Sequence, residues 1–369
     1  MSFLAFPRGG RQKMTARLLS VGLTVLFLSS CVPLGAARIS CRNEDGDAVD
    51  WFVFYKLPQN RKQKSEWSGL EYMYLDATTR RWQRSESLVN MTQSVLGRTL
   101  QQLYEAWEAK NNSTAYLIYN DNVPHSVDGS WKQGHAKGFL LWDKSQGFWL
   151  IHTIPRFPSF PEEDYSYPST GKKYGQIGIC VTYNYSQFVE IDSQLLSCIP
   201  NVYSCSIPAI FHPVLTYLPK MCVGSPLPRI PRQRLSRLQS IRGQNFLHFA
   251  KSPYLIDDVY VAWMAQQLQT NLLVETWQPK LPSNCSLSYH VYNIKEIRIP
   301  GQSTFSSYYD HAKWCISQRY YKKHWTCIGD LNRSPFQTRR GGGFICTQNK
   351  YIYLAFRGLV LHYQNCNQS

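Results

Sequence analysis

His-Ala-Lys occurs twice in this chain, as His135-Ala136-Lys137 and as His311-Ala312-Lys313, once in each half. An extended backbone projects residues i and i+2 to the same side, so each imidazole is expected beside its ammonium group. Two such pairs brought together would make a pocket for a phosphate. One imidazole can attack phosphorus and form a phosphohistidine, while the other, as imidazolium, protonates the departing oxygen and then activates water. The two ammonium groups neutralise the non-bridging oxygens. Because one histidine must start protonated, such a centre works best on the acidic side of neutrality.

The remaining residue types point away from metal chemistry. Two-metal phosphodiesterases need clustered carboxylates. Here 24 Asp and Glu are scattered, and the one tight pair, Asp257-Asp258, reads as charge near a helix start. No Cys-x-x-Cys occurs and the Cys and His positions lack zinc spacing, so neither metal nor cofactor is expected. His125, His152, His248 and His324 read as structural or surface histidines.

The elements that must position the two triplets follow from the rest of the pattern. Leu96, Leu100, Leu103, Tyr104 and Trp107 fall at helical spacing, and a β-rich run, Ala115 to Tyr119, precedes His135. In the second half Val259, Ala262, Trp263 and Leu268 suggest a helix, with Leu272-Leu273-Val274 ahead of His311. Trp149 and Trp325 each lie 14 residues after a triplet histidine, within short apolar runs that read as second strands. Helix, strand, His-x-Lys strand, second strand: the order occurs twice, which implies an internal α/β repeat. The division is 38–222 and 245–369, joined by a basic, Pro-rich connector over 223–244. Gly175 to Tyr185 alternates as a strand, and 334–343 reads as a Gly-rich basic loop.

Residues 1–37 read as a secretory signal, with Arg8, Arg11, Lys13 and Arg17 ahead of the apolar Leu18 to Leu28 and the small residues Gly35-Ala36-Ala37. The apolar run falls well short of the ~20 residues that span a bilayer. Cleavage there removes four basic and no acidic residues from a formal charge of +16, leaving +12 on a chain expected to meet polyanions. The even set of remaining cysteines in an oxidising compartment favours disulfides. Asn90, Asn111, Asn112, Asn184, Asn284 and Asn367 head glycosylation sequons, so a secreted or lysosomal glycoprotein is expected. A homodimer is one assembly this reading admits.

Several segments resemble the acid deoxyribonuclease II family. They are GHAKGFLLWD (134–143), GFWLIHTIPRFP (147–158), DHAKWC (310–315), WTCIGDLNR (325–333) and RGGGFIC (340–346), with SC (40–41) and VDWFVFYK (49–56) at the start. The resemblance covers essentially the whole mature chain. That family is similar to the phospholipase D superfamily, so the resemblance implies an α/β fold. Two repeats with mixed sheets would be related by a pseudo-twofold, with the active site at their interface. It also implies a metal-independent endonuclease for double-stranded DNA, active in acid and leaving 3′-phosphate ends. His135, Lys137, His311 and Lys313 match the two His-x-Lys motifs residue by residue. Gly329 to Asn332 matches the Gly-x-x-Asn segment, making Asn332 a phosphate-contacting amide. The first half departs from that pattern, and His152-Thr153 stands where the polar partner would be, which nominates Thr153. Arg339 and Arg340 are candidates for DNA phosphate contacts. The motif does not settle which histidine attacks; the reading leans to His135 as nucleophile and His311 as general acid. The alternatives are a hydrolase of another phosphodiester, such as a phospholipid, and a non-catalytic polyanion-binding protein.

Overall fold

The computed structural model describes residues 38–59, 67–110, 112–126, 133–301, 303–319 and 323–366. The expected signal segment and the sequons at Asn111 and Asn367 lie outside these residues. Residues 38–369 form one compact unit. The fold is α/β, built on two large sheets.

The first sheet orders its strands as Val202–Ser206, Ala115–Asn120, Lys137–Trp142, Gln146–His152, Gln176–Asn184, Trp51–Lys56, Tyr72–Asp76 and Gln83–Arg84, every neighbour antiparallel. The second runs Gln233–Gln239, Asn245–Lys251, Gly342–Thr347, Thr326–Gly329, Trp314–Ser317, Leu272–Glu275, Val291–Arg298 and Thr304–Ser306, with Val360–Gln364 also paired to Val291–Arg298. Its Leu272–Glu275 and Val291–Arg298 strands are parallel, which makes this sheet mixed.

The internal repeat is visible in the wiring. Helix Val95–Glu108 leads to strands Ala115–Asn120, Lys137–Trp142, Gln146–His152 and Gln176–Asn184, then to helix Phe188–Cys198. In the second half, a π-helical turn Tyr260–Met264 and a short α-helix Ala265–Leu268 lead to Leu272–Glu275, then, after the inserted strands Val291–Arg298 and Thr304–Ser306, to Trp314–Ser317, Thr326–Gly329 and Gly342–Thr347, and finally to helix Lys350–Leu359. The four strands sit side by side in the same antiparallel order both times.

Local sequence explains these elements. Ser94 caps the first helix, its Oγ accepting the Gly97 N–H at 3.1 Å, and Leu96, Leu100, Leu103 and Tyr104 form the buried stripe. Asn349 caps the last helix in the same way, accepting from Tyr351 and Ile352. The strands carry apolar residues on both faces. Trp51, Val53 and Tyr55 join a central cluster shared with Leu273, Trp314 and Ile316 of the second half, whereas Phe52 and Phe54 face the first helix. Helices Phe188–Cys198 and Lys350–Leu359 also bury their apolar faces in the central cluster, so one core spans both halves.

Three details differ from the sequence reading. Gln233–Gln239, inside the stretch read as connector, is an edge strand paired along its length with Asn245–Lys251. Its arginine content masked the alternation of buried Ser236 and Leu238 with exposed Arg237 and Gln239. The equal spacing of Trp149 and Trp325 is not structural equivalence. Trp149 stands opposite Leu140, while Trp325 lies one step further back, its carbonyl accepting from Ser317. Third, four disulfides form, Cys41–Cys180, Cys205–Cys222, Cys285–Cys366 and Cys327–Cys346, while Cys198 and Cys315 are buried thiols. Asn90, Asn112 and Asn184 are exposed; Asn284 is half-buried, and its Oδ1 accepts from Ser286 in a local turn. Among the described residues no helix is long and apolar enough to cross a membrane.

Candidate active site

Both triplets sit where strands begin. Lys137 is the first residue of its strand, and Lys313 immediately precedes Trp314–Ser317. Ala136 and Ala312 are buried in the central cluster, so the flanking His and Lys share the other side of the chain. Each triplet is held by the opposite half. The His135 N–H donates to the Gly341 carbonyl at 2.8 Å, and the His311 N–H to the Gly175 carbonyl at 2.9 Å. These crossings are close enough to require glycine. A Cβ at Gly341 would lie 2.3 Å from the Cys198 carbonyl oxygen, and one at Gly175 2.3 Å from Asp310 Oδ1.

The imidazoles are oriented reciprocally. His135 Nδ1 donates to the Asp330 carbonyl at 2.7 Å, and His311 Nδ1 faces the Thr153 carbonyl at 3.1 Å and Gln176 Oε1 at 3.2 Å. Asp330 directly follows Thr326–Gly329, and Thr153 directly follows Gln146–His152, so the two supports occupy corresponding places. A carbonyl only accepts, so Nδ1 carries the proton and Nε2 holds the lone pair of the neutral ring. Both histidines line one cleft of about 620 Å³, together with Asp121, Asn332, Trp277 and Arg340.

Lys137 and Lys313 are almost completely buried. Lys137 pairs with Asp121, and Lys313 donates to the His311 carbonyl. Burial, then the charge of Lys137, pulls the Lys313 ammonium well below the usual lysine range. Burial and the adjacent lysines likewise push both histidines well below their ordinary value. Burial opposes ionisation of Asp121, but Lys137 and then His135 outweigh it and hold the carboxyl far below the usual range. Asp330 is pushed up to about 7 by burial; its oxygens accept from the N–H groups of Lys137 (3.4 Å) and Gly343 (3.1 Å).

The other nominated residues take different places. Asn332 lines the cleft, and its Oδ1 is buried without a hydrogen-bond partner among the described residues. Its loop is pinned by Arg333, whose Nη2 is 2.8 Å from Asp258 Oδ2. Asp258 therefore serves this pair besides accepting from Tyr260 at the helical turn. Thr153 holds His311 through its carbonyl, while its hydroxyl donates to Gln176 Oε1 at 2.7 Å. Arg340 is buried, with Nη1 3.1 Å from Asp121 Oδ2 and Nη2 donating to the carbonyls of Gln133 and Gly134. That fork supports the approach to His135, whereas Arg339 is exposed. Of the four histidines read as structural, His152 and His248 are buried, with burial depressing each to about 3. Among the described residues, no three His, Cys, Asp or Glu side chains gather as metal ligands.

A family model for deoxyribonuclease II matches residues 40–366. Human deoxyribonuclease-2-beta is 62% identical over 359 residues, spanning 96% of this chain and 99% of the human protein. The chain belongs to the deoxyribonuclease II family. Deoxyribonuclease-2-alpha of Rattus norvegicus is 39% identical over 351 residues, covering 92% of this chain and 98% of the rat protein. Plancitoxin-1 of Acanthaster planci is 33% identical over 357 residues, covering 94% and 97%. The α/β fold with one antiparallel and one mixed sheet is consistent with the phospholipase D-like architecture of this deoxyribonuclease II family.

Four residues at this deoxyribonuclease II centre escaped the sequence reading: Asp121, Gln176, Trp277 and Asp330. Asp330 lay inside a quoted motif, but its neighbour Asn332 drew the assignment. Asp121 follows the strand Ala115–Asn120, where an acid directly after a six-residue buried strand was the available signal.

Proposed function

We propose that this chain is an endonuclease that hydrolyses phosphodiester bonds of double-stranded DNA in acid, without a metal, through His135, Lys137, His311 and Lys313. The observation that carries the reading is the pair of histidines in one cleft, each with Nδ1 engaged by a backbone carbonyl and Nε2 left for chemistry. Membership of the family, and the name deoxyribonuclease carried by its relatives, support DNA as the substrate.

In the first step a neutral Nε2 attacks phosphorus and the P–O5′ bond breaks. The second histidine, as imidazolium, gives its proton to O5′. That imidazole, now neutral, takes a proton from water as the water attacks phosphorus. The P–N bond breaks, restoring both histidines and leaving a 3′-phosphate and a 5′-hydroxyl. Lys137, Lys313 and the Asn332 amide stabilise the charge on the non-bridging oxygens. The depressed histidines agree with an acid requirement. The charged form is lost as pH rises, and the incoming phosphate offsets the lysines that disfavour it.

Four disulfides support passage through the secretory pathway, to lysosomes or outside the cell. The exposed Asn90, Asn112 and Asn184 suit glycosylation better than half-buried Asn284. The repeated wiring supports two halves, the first within 38–222 and the second beginning with the edge strand Gln233–Gln239 rather than at 245.

The test is supercoiled-plasmid nicking by the purified mature chain at pH 5 and pH 7.5 in EDTA. Cutting at pH 5 that fades at pH 7.5 and disappears in His135→Ala and His311→Ala is the expected result. Wild-type cutting by His311→Ala would refute the two-histidine mechanism, and DNA binding without cutting would leave a polyanion-binding protein.

A further inference from the structure

A strand of DNA has a direction, but two His-Lys pairs related by a pseudo-twofold do not. Something in the cleft must break that symmetry if one kind of end is to be made. Strand register shows where the halves diverge. Gly138, the residue after the first triplet, stands opposite Tyr119; Trp314, the residue after the second, stands opposite Glu275. Two positions beyond these partners lie Asp121 and Trp277, which therefore occupy the same station in the two halves.

The chemistry at that station is opposite. Asp121 sits beside His135, with Oδ2 3.7 Å from Nε2, among the cations of Lys137 and Arg340. Trp277 lies against His311, ring centroids 5.2 Å apart at 58°, and is backed by Tyr174 at 5.5 Å. Its indole N–H is buried with no hydrogen-bond partner among the described residues, a donor left for an acceptor from outside them. The segment after Trp277 is tied to the loop that follows Asn332, the Lys280 N–H donating to the Arg333 carbonyl at 3.0 Å. That loop brings Phe336, 54% exposed, to the same cleft. One wall is therefore charged and saturated with ion pairs, and the other presents aromatic faces.

We propose that Trp277 and Phe336 form a base-stacking subsite, which seats the nucleobase on one side of the scissile phosphate and so gives the pseudo-symmetric centre a direction. This rests on the nuclease reading above. Aromatic faces accept every base, so the subsite orients the strand without reading sequence. Seating a base there requires it to leave the duplex stack locally.

The experiment uses a duplex oligonucleotide with one abasic residue in a labelled strand, cut at pH 5, with the two bonds flanking that residue compared. The subsite lacks its base for only one of the two bonds. Wild type is expected to cut them with a ratio of about fivefold or more, the scale of one lost stack. Phe336→Ala and Phe336→Leu should bring that ratio towards one, and Phe336→Tyr should keep it. Equal cutting by wild type, or an undiminished ratio in Phe336→Ala, would overturn the subsite. Plasmid nicking by the same wild-type sample separates the two ideas, since its absence would refute the nuclease reading itself.

Discussion

The His135 imidazole is fastened to the backbone of Asp330, 195 residues further along the chain, by a 2.7 Å hydrogen bond from Nδ1 to the carbonyl. The same aspartate uses its carboxylate to hold the N–H groups of Lys137 and Gly343. One residue of the second half thus holds both the His135 imidazole and the Lys137 backbone of the first. The reciprocal pair, His311 and Thr153, shows that each half completes the other.

Asp330 also carries a pH signature. Its carboxyl is raised to about 7 by burial, so the native state holds a proton that the unfolded chain releases near the ordinary aspartate value of 3.8. A raised carboxyl contributes stability that is full below the unfolded value and lost as pH rises through the folded one. Asp330→Asn, a neutral substitute, lacks this term. The stability advantage of wild type over the variant should therefore grow by ~2 kcal/mol from pH 7.5 to pH 5. Denaturant unfolding of both proteins at the two pH values measures it.

Asp121 should set the acid dependence of catalysis. Its carboxylate favours the protonated form of His135 against Lys137, Lys313 and Arg340. In Asp121→Asn that support is lost, so His135 gives up its proton at lower pH. The limb of the kcat/KM profile governed by this histidine should move about one unit towards acid. An Asp121→Glu variant should restore part of the shift. An unmoved limb would show that His135 is not the group the profile reports.

The sequence carried the His-x-Lys pairs, the strand runs and the repeat because those are local patterns with fixed periods. It did not carry the Asp121–Trp277 correspondence, which depends on how strands of each half align and leaves no shared residue type. Arithmetic on tryptophans misled for the same reason: Trp149 and Trp325 share a spacing but not a register. Arg340 looked like a phosphate contact because a Gly-rich basic loop usually lies in solvent. Here Gly341 lets that loop close onto the Cys198 carbonyl of the first half, and the guanidinium is buried.

The two thiols give a simple chemical check. Cys198 and Cys315 are fully enclosed, and burial drives both thiols upward, Cys198 especially. Native protein should resist alkylation at both positions, since the thiolate is the reactive form. Unfolding without reductant should expose Cys198 and Cys315 to the reagent and leave the disulfide-bonded cysteines unmodified. Peptide mass spectrometry that found a label on Cys327 or Cys346 instead would contradict the pairing.

Arg339 and Arg340 are adjacent and should behave oppositely. Arg340 bonds Asp121 and two carbonyls in a buried setting, so Arg340→Ala leaves a carboxylate with one partner fewer and two backbone acceptors unmet. Breaking a buried pair in this way costs about 3–5 kcal/mol of stability. Arg339 is exposed at the basic loop, where a phosphate contact would add affinity without packing. Arg339→Ala should keep wild-type stability and lower the slope of log Kd against log salt by about one, the effect of a single lost phosphate contact. Thermal unfolding together with DNA binding at several salt concentrations separates the two. A destabilised Arg339→Ala beside a fully stable Arg340→Ala would mean that the loop is not folded onto Asp121 as described.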